Sequence, residues 1–248
     1  MTLDDFSNRF DILVSSYRRF KDFDNKEILD SVEFNEYEKS VFLTSAQEEY
    51  VIGRYTGANS EGNSFESTEE ARRYLERLVS EVPSLVQTIG IKGLSANSKF
   101  YKLPDDLMFI VFEQIEVLDN SLPNEDNIIK VQPITHDEYD KLRKNPFRGV
   151  SSSRALRIDC GFTESYTLSN PDVVEIISKY DLDSDKYAYH IRYLRQTKPI
   201  ILEDLTEGLD IEGFTKKTEC ELNPVMQDEI LELAVRNALQ TKLGVSKQ

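Results

Sequence analysis

The spacing of apolar residues changes twice along the chain. Over the first eighty or so residues they recur at intervals of three and four, as in Leu3, Phe6, Phe10, Leu13, Tyr17 and Phe20, which predicts helices. Thr2 with Asp5 forms the pattern of a capping box ahead of the first. The stretch "NEYEKSVFLTSAQEEYVIGRYTG" predicts a short helix ending near Leu43, then a second one opened by Thr44 with Gln47 and stopped by Gly57. After a polar loop, Ser67 and Glu70 open "STEEARRYLERLVSEV", whose Ala71, Tyr74, Leu75, Leu78 and Val82 share a face until Pro83 ends it.

From there the period shortens. "SLVQTIGIKGL", "KFYKL", "LMFIVFEQIEVLD", "IIKVQPI", "ALRIDC", "DVVEIIS", "KYAYHIRYLRQT" and "KPIILEDL" are β-branched and aromatic runs bounded by Gly, Pro, Asn and Asp, and they predict strands of a mostly antiparallel sheet. The chain then returns to helical spacing. Asn223 is a favoured N-cap, Pro224 suits the first helical position, and Gly244 after Lys242 closes a helix over 224–243. Its Met226, Ile230, Leu233, Ala234, Ala238 and Leu239 form one apolar stripe, with Asp228, Glu232, Arg236 and Gln240 largely elsewhere. That stripe must be covered, either by the protein's own core or by a neighbouring subunit.

Helices at both ends with strands between them predict an α+β fold: a helical region over 1–83, a mostly antiparallel central sheet within 84–248, and a C-terminal amphipathic helix. No Pro- or Ser-rich linker separates the regions, so one continuous domain is equally compatible with the pattern.

Charge narrows the function classes. Thirty Lys and Arg stand against 45 Asp and Glu among 248 residues, a formal net charge of −15, which argues against wrapping nucleic acid or lying on an anionic membrane. No run reaches the ~18 apolar residues of a membrane span, and "MTLDDFSNRF" lacks the basic start of a signal peptide, so synthesis in a cytoplasm is expected. Cys160 and Cys220 are expected as free thiols.

Signs of catalysis or of a cofactor are absent from the motifs. His136, Asp137, Glu138 and Asp140 resemble a ligand cluster, but Thr135 and Glu138 read as a capping box, and adjacent helical positions do not converge on one ion. Asp181, Asp183 and Asp185 have the spacing that opens a calcium loop, yet Lys186 stands where the turn needs Gly and Arg192 where it needs Glu. Neither His136 nor His190 sits in a catalytic signature, and no phosphate loop or dinucleotide fingerprint occurs. No metal and no cofactor is expected. With 45 acids, a carboxylate pair serving a soluble hydrolase is one alternative, and a monomeric binding module is another.

One segment departs from the acidic background. "KLRKNPFRGVSSSRALR" carries Lys141, Arg143, Lys144, Arg148, Arg154 and Arg157, and reads either as a solvated basic loop or as a docking loop for an acidic neighbour.

Four stretches in the same order, "NEYEKSVFLTSAQEEYVIGRYTG", "HDEYDKLRKNPFRGVSSSRALRID", "VVEIISKY" followed by "HIRYLRQTKPIILEDL", and "TECELNPVMQDEILELAVRNALQTK", resemble virion structural proteins of crAss-like bacteriophages. The resemblance runs from about Asn35 to Lys242 and skips the loop around Gly57 to Phe65. It implies a non-enzymatic protein that forms a homo-oligomeric ring in the neck or tail, between the portal and other ring proteins. The expected location is the virion, with the genome passing through an acidic lumen. The implied subunit-interface residues are Arg143, Lys144, Phe147, Arg148, Arg154 and Arg157 of the basic segment, with Met226, Ile230, Leu233 and Leu239 of the terminal helix.

Overall fold

The computed structural model describes residues 1–21, 33–59, 62–88, 92–118, 127–145, 147–161, 173–206 and 208–243. The chain is α+β and divides into two compact units, Met1–Leu78 with Thr197–Gln248, and Val79–Gln196.

The first unit is helical. In α1 (Leu3–Lys21), Thr2 Oγ1 accepts from the Asp5 N–H at 3.2 Å while the Asp5 carboxylate accepts from the Thr2 N–H at 3.1 Å, the reciprocal box read from the sequence. Phe6, Phe10 and Val14 are buried along one side of it. α2 (Glu36–Thr56) is a single helix, not two. Its cap is Asn35, paired reciprocally with Glu38, and Gly57 ends it with a left-handed φ of 80° and an N–H bonded to the Gly53 carbonyl at 3.0 Å.

The Thr44 and Gln47 side chains, expected to cap a second helix, instead hold a distant extended segment. Thr44 Oγ1 accepts from the Ile200 N–H at 3.1 Å, Gln47 Nε2 donates to the Lys198 carbonyl at 2.8 Å, and Ser40 Oγ accepts from the Leu202 N–H at 3.0 Å. Ser40, Thr44 and Gln47 lie at i, i+4 and i+7, so one helix face satisfies backbone groups that a strand partner would otherwise take. This explains why "KPIILEDL", expected as a strand, makes only an isolated bridge between Ile201 and Thr218 among the described residues.

α3 (Glu69–Leu75) is capped by Thr68, whose hydroxyl accepts from the Ala71 N–H at 3.2 Å, and not by Ser67. It passes into a 3-10 turn at Glu76–Leu78 and stops well short of Pro83, because Val79–Val82 is a strand. α5 (Pro224–Leu243) begins as the sequence predicts, with Asn223 Oδ1 accepting from the Val225 N–H at 3.3 Å; the expected stop at Gly244 lies outside the described residues. The helix packs against α2 and α1. Met226, Ile230, Ala234 and Ala238 are fully buried, and Leu231 and Val235 are buried beside them. The buried arc is therefore wider than the single stripe, as contact with two helices requires.

The second unit is built on an eight-stranded sheet: β1 (Val79–Val82), β2 (Gln87–Thr88), β3 (Ser98–Lys102), β4 (Leu107–Val117), β5 (Ile128–Pro133), β6 (Arg154–Gly161), β7 (Val173–Ile177) and β8 (Tyr187–Arg195), in the order β1-β8-β4-β5-β6-β7-β3-β2. All neighbours pair antiparallel except β5 with β6, which run parallel. That exception follows from the connection, since a parallel pair needs a crossover, and α4 (His136–Leu142) lies between the two strands.

Neighbouring residues on a strand fall into different clusters, as a pleat requires. Ala155 and Ile176 join Tyr101, Ile115, Ile129, Tyr189 and Ile191 in the main core, whereas Leu156 and Ile177 join Ile134 and Ile158 on the opposite face. One cluster collects residues from β3 through β8, which a flat sheet could not bring together, so the sheet curls over its own apolar side. Tyr139 and Leu142 of α4 cover the other cluster. The Thr135–Glu138 capping box is formed as predicted, with bonds of 3.3 and 3.0 Å.

Candidate functional site

The basic segment becomes a tied loop. It leaves α4 at Arg143 and returns as β6 at Arg154. Asn145 organises it: the side-chain oxygen accepts from the Phe147 N–H at 3.0 Å and the Arg148 N–H at 3.3 Å, and its carbonyl accepts from the Gly149 N–H at 2.9 Å. Arg154 Nη1 donates to the Phe147 carbonyl at 3.3 Å, and the Ser151 N–H bonds the Arg154 carbonyl at 3.0 Å. Gly149 is needed for its size, because a Cβ there would sit 2.9 Å from the Asn145 oxygen and 3.0 Å from that of Leu142.

This scaffold presents Phe147 at 89% exposure, the most exposed of the large apolar residues described. Arg143, Lys144 and Arg148 are exposed beside it, and Arg143 pairs with Asp140 at 3.3 Å. Among the described residues, neither Lys144 nor Arg148 has a carboxylate within ion-pairing distance. A groove of about 790 Å³ runs under the loop, lined by Ile134, Lys141, Leu142, Phe147, Arg148 and Arg154.

Arg157 does not belong with this group. Its side chain is 11% exposed and pairs with Glu113 and Asp159, each at 3.3 Å. Glu113 also accepts from the Tyr189 hydroxyl at 2.6 Å. Burial raises the Glu113 carboxyl, and the Arg157 charge and the Tyr189 bond oppose that rise. The trio lets the curled sheet hold one ion pair inside, a role for Arg157 in the subunit's own structure.

The terminal-helix residues also turn inward. Met226 and Ile230 have no exposed surface and Leu239 is 8% exposed, so they have almost none to offer a neighbour. Leu233 is the exception. It is half-buried and lines a groove of about 510 Å³ between α2 and α5, with Glu49, Tyr50, Arg54, Glu229 and Glu232. At its floor Arg54 donates to Glu229 at 3.0 Å and to the Tyr50 hydroxyl at 3.1 Å. Burial, ahead of the nearby Glu229 charge, pushes the Tyr50 phenol up to about 12, so it stays neutral.

A family profile described as phage tail ring protein 3/4 matches residues 1–248. The chain belongs to that family. It is 41% identical to Ring protein 3 of Bacteroides phage crAss001 over 244 residues, covering 98% of this chain and 96% of the relative. It is 29% identical to Ring protein 4/5 of the same phage over 243 residues, covering 96% and 92%. It is thus a ring protein of the crAss-like phage type, and the resemblance read from its sequence is correct.

Within this ring protein the metal-like motifs are explained by local structure. Asp137 and Glu138 lie in the first turn of α4, Asp181 pairs with Lys99 at 2.7 Å, and the Asp183 backbone carbonyl accepts from the Lys186 and Tyr187 N–H groups at 3.0 and 2.9 Å in the turn into β8. No group of three or more His, Cys, Asp or Glu that could hold a metal ion occurs among the described residues. No helix among them is long and apolar enough to cross a membrane. His190 Nε2 lies 2.9 Å from Glu81 across the β1–β8 pair. Cys160 and Cys220 are free thiols, and burial raises both.

Proposed function

We propose that this ring protein is a non-enzymatic structural subunit that assembles with copies of itself into a closed ring in the head-to-tail region of the virion. The portal and other neck or tail ring proteins stack above and below it, and the genome passes through the opening. The observation that carries this reading, beside family membership over the whole chain, is the tied basic loop that exposes Phe147. An aromatic held in solvent by a hydrogen-bonded loop, beside Lys144 and Arg148 that have no carboxylate partner among the described residues, matches the anatomy of an interface anchor. The net charge of −15 supports the passage of DNA, since acids facing the lumen would repel phosphates and keep the genome from sticking.

The test is the double substitution Lys144→Glu, Arg148→Glu, which leaves the Arg154 tie to the Phe147 carbonyl in place. The subunit should fold as before, because exposed charges contribute only about 0–1 kcal/mol each. Ring formation, followed by native mass measurement or by imaging of particles, should fall sharply. Normal rings from the double variant would remove the loop from the interface. An unfolded variant would assign these two cations to the subunit's own stability.

A further inference from the structure

The loop needs a receptor, and the charge distribution indicates which unit carries it. Met1–Leu78 and Thr197–Gln248 together hold 27 Asp and Glu against 16 Lys and Arg, whereas Val79–Gln196 holds 18 against 14. The basic segment itself, residues 141–157, contains no acid at all. Its complement is therefore the helical unit of another molecule.

Besides the groove under the loop itself, two grooves among the described residues offer apolar side chains of a kind that could receive an aromatic ring. One, about 500 Å³ between β4 and β5, offers Phe112 and Ile128, but Lys130 on its wall repels the loop's cations. The other is the α2–α5 groove with Leu233. Its Arg54 is already paired with Glu229, while Glu232 has no ion-pair partner among the described residues, which leaves an acid at the rim beside Leu233. Arg236, one turn beyond Glu232, marks the end that the loop's own arginines must avoid.

Building on the ring reading, we propose that Phe147 of one copy seats in the α2–α5 groove of the next copy against Leu233, with Arg148 facing Glu232. The two surfaces are different patches of the same chain, so the contact is heterologous, the type that propagates around a ring and closes if the rotation permits. The aromatic supplies roughly 150–250 Å² of burial at the centre, and the charges set its orientation at the rim. Because the loop is tied by Asn145 and Arg154 before contact, little ordering entropy remains to be lost on docking.

The experiment uses the full chain at concentrations where native mass measurement detects multimers, or in assembled particles. Mild oxidation of Phe147→Cys mixed with Leu233→Cys should give a cross-linked dimer that neither variant gives alone, against the background of Cys160 and Cys220 in the unsubstituted protein. A chain carrying both substitutions should give a ladder of linked multimers. Phe147→Ala should weaken association at least about tenfold. Glu232→Lys should weaken it as well, and combining it with Arg148→Glu should restore it. Multimers that form without the 147–233 cross-link, or that link 147 to 147, overturn this contact and leave the ring reading standing. A protein that never self-associates and is absent from particles overturns the ring reading, and this contact with it.

Discussion

Ile230→Ala decides whether the apolar side of α5 belongs to the subunit or to its neighbour. Ile230 is 0% exposed and sits on the face that packs among the helices of its own unit. The substitution removes three carbons, about 2.4 kcal/mol of transfer free energy at ~0.8 kcal/mol each, and leaves a cavity that adds to the loss. A total of about 3–4 kcal/mol follows, within the usual range of about 2–5 for such truncations. With a urea slope of ~2 kcal/mol/M the midpoint should drop by about 1.5–2 M. Far-UV circular dichroism is the suitable probe, because α1, α2, α3 and α5 all lie in the first unit and the chain has no Trp. The measurement is made on dilute, monomeric protein at two concentrations, and the drop should be the same at both. A midpoint unchanged within ~0.3 M, together with lost assembly, would refute the argument and return the stripe to an intersubunit role.

Four further outcomes are expected. Asn35→Ala, which removes the side-chain acceptor for the Glu38 N–H while leaving the backbone N–H that Glu38 accepts from, should cost about 1 kcal/mol in the same unfolding assay. Arg157→Ala leaves Glu113 buried without its counter-charge and should cost about 3–5 kcal/mol near neutral pH. Because protonation neutralises Glu113, whose carboxyl is already raised, that deficit should shrink as the pH falls. Glu212 sits at a φ of 54° on the surface, where partial desolvation against the neighbouring Glu48, together with that carboxylate's charge, pushes its carboxyl up to about 7. Its contribution to stability is full below the ordinary carboxylate range and is lost as the pH rises through about 7, so Glu212→Asn should gain more in melting temperature at pH 8 than at pH 5. The part of that gain present at both pH values, up to about 1 kcal/mol, comes from the left-handed backbone that Asn tolerates better. Finally, raising salt above physiological strength should weaken wild-type association, as light scattering can follow, and Lys144→Glu, Arg148→Glu should flatten that dependence.

What could be read from the sequence was mostly what is decided within four residues. The Thr2–Asp5 and Thr135–Glu138 boxes and the Asn223–Pro224 start each depend on a side chain meeting nearby backbone, and the Gly57 stop on a left-handed φ with an N–H bonded four residues back. Thr44 and Gln47 show the limit of that logic. The chemistry that caps a helix serves as well to bond Lys198 and Ile200, more than 150 positions away, and nothing local separates the two uses. Val79–Val82 failed for the same reason, since its alternation gains meaning only once Val79 faces Leu194. In the candidate site, the basic run was visible as charge. Its rigidity was not, because it rests on the Asn145 side chain and on the close approach that only Gly149 permits. The inward turn of Arg157 depended on which of 45 acids it would meet.

The burial pattern also bears on how such a subunit stays soluble before it assembles. Met226, Ile230 and Leu239, which could have made a sticky seam, are consumed inside the helical unit. Among the large apolar residues of the basic segment, Phe147 is left almost wholly in solvent, surrounded by like charges that keep loops of separate molecules apart. Copies carrying −15 each repel one another at long range, but at physiological ionic strength that repulsion is screened beyond about 8 Å. Inside that distance the arrangement of charge matters more than its sum. In the proposed contact a loop without acids approaches a unit rich in them with the sign reversed, while loop against loop and acid against acid are both disfavoured. Repulsion between like surfaces and attraction between unlike ones together favour head-to-tail contact over a symmetric pair, which is the condition a ring must meet.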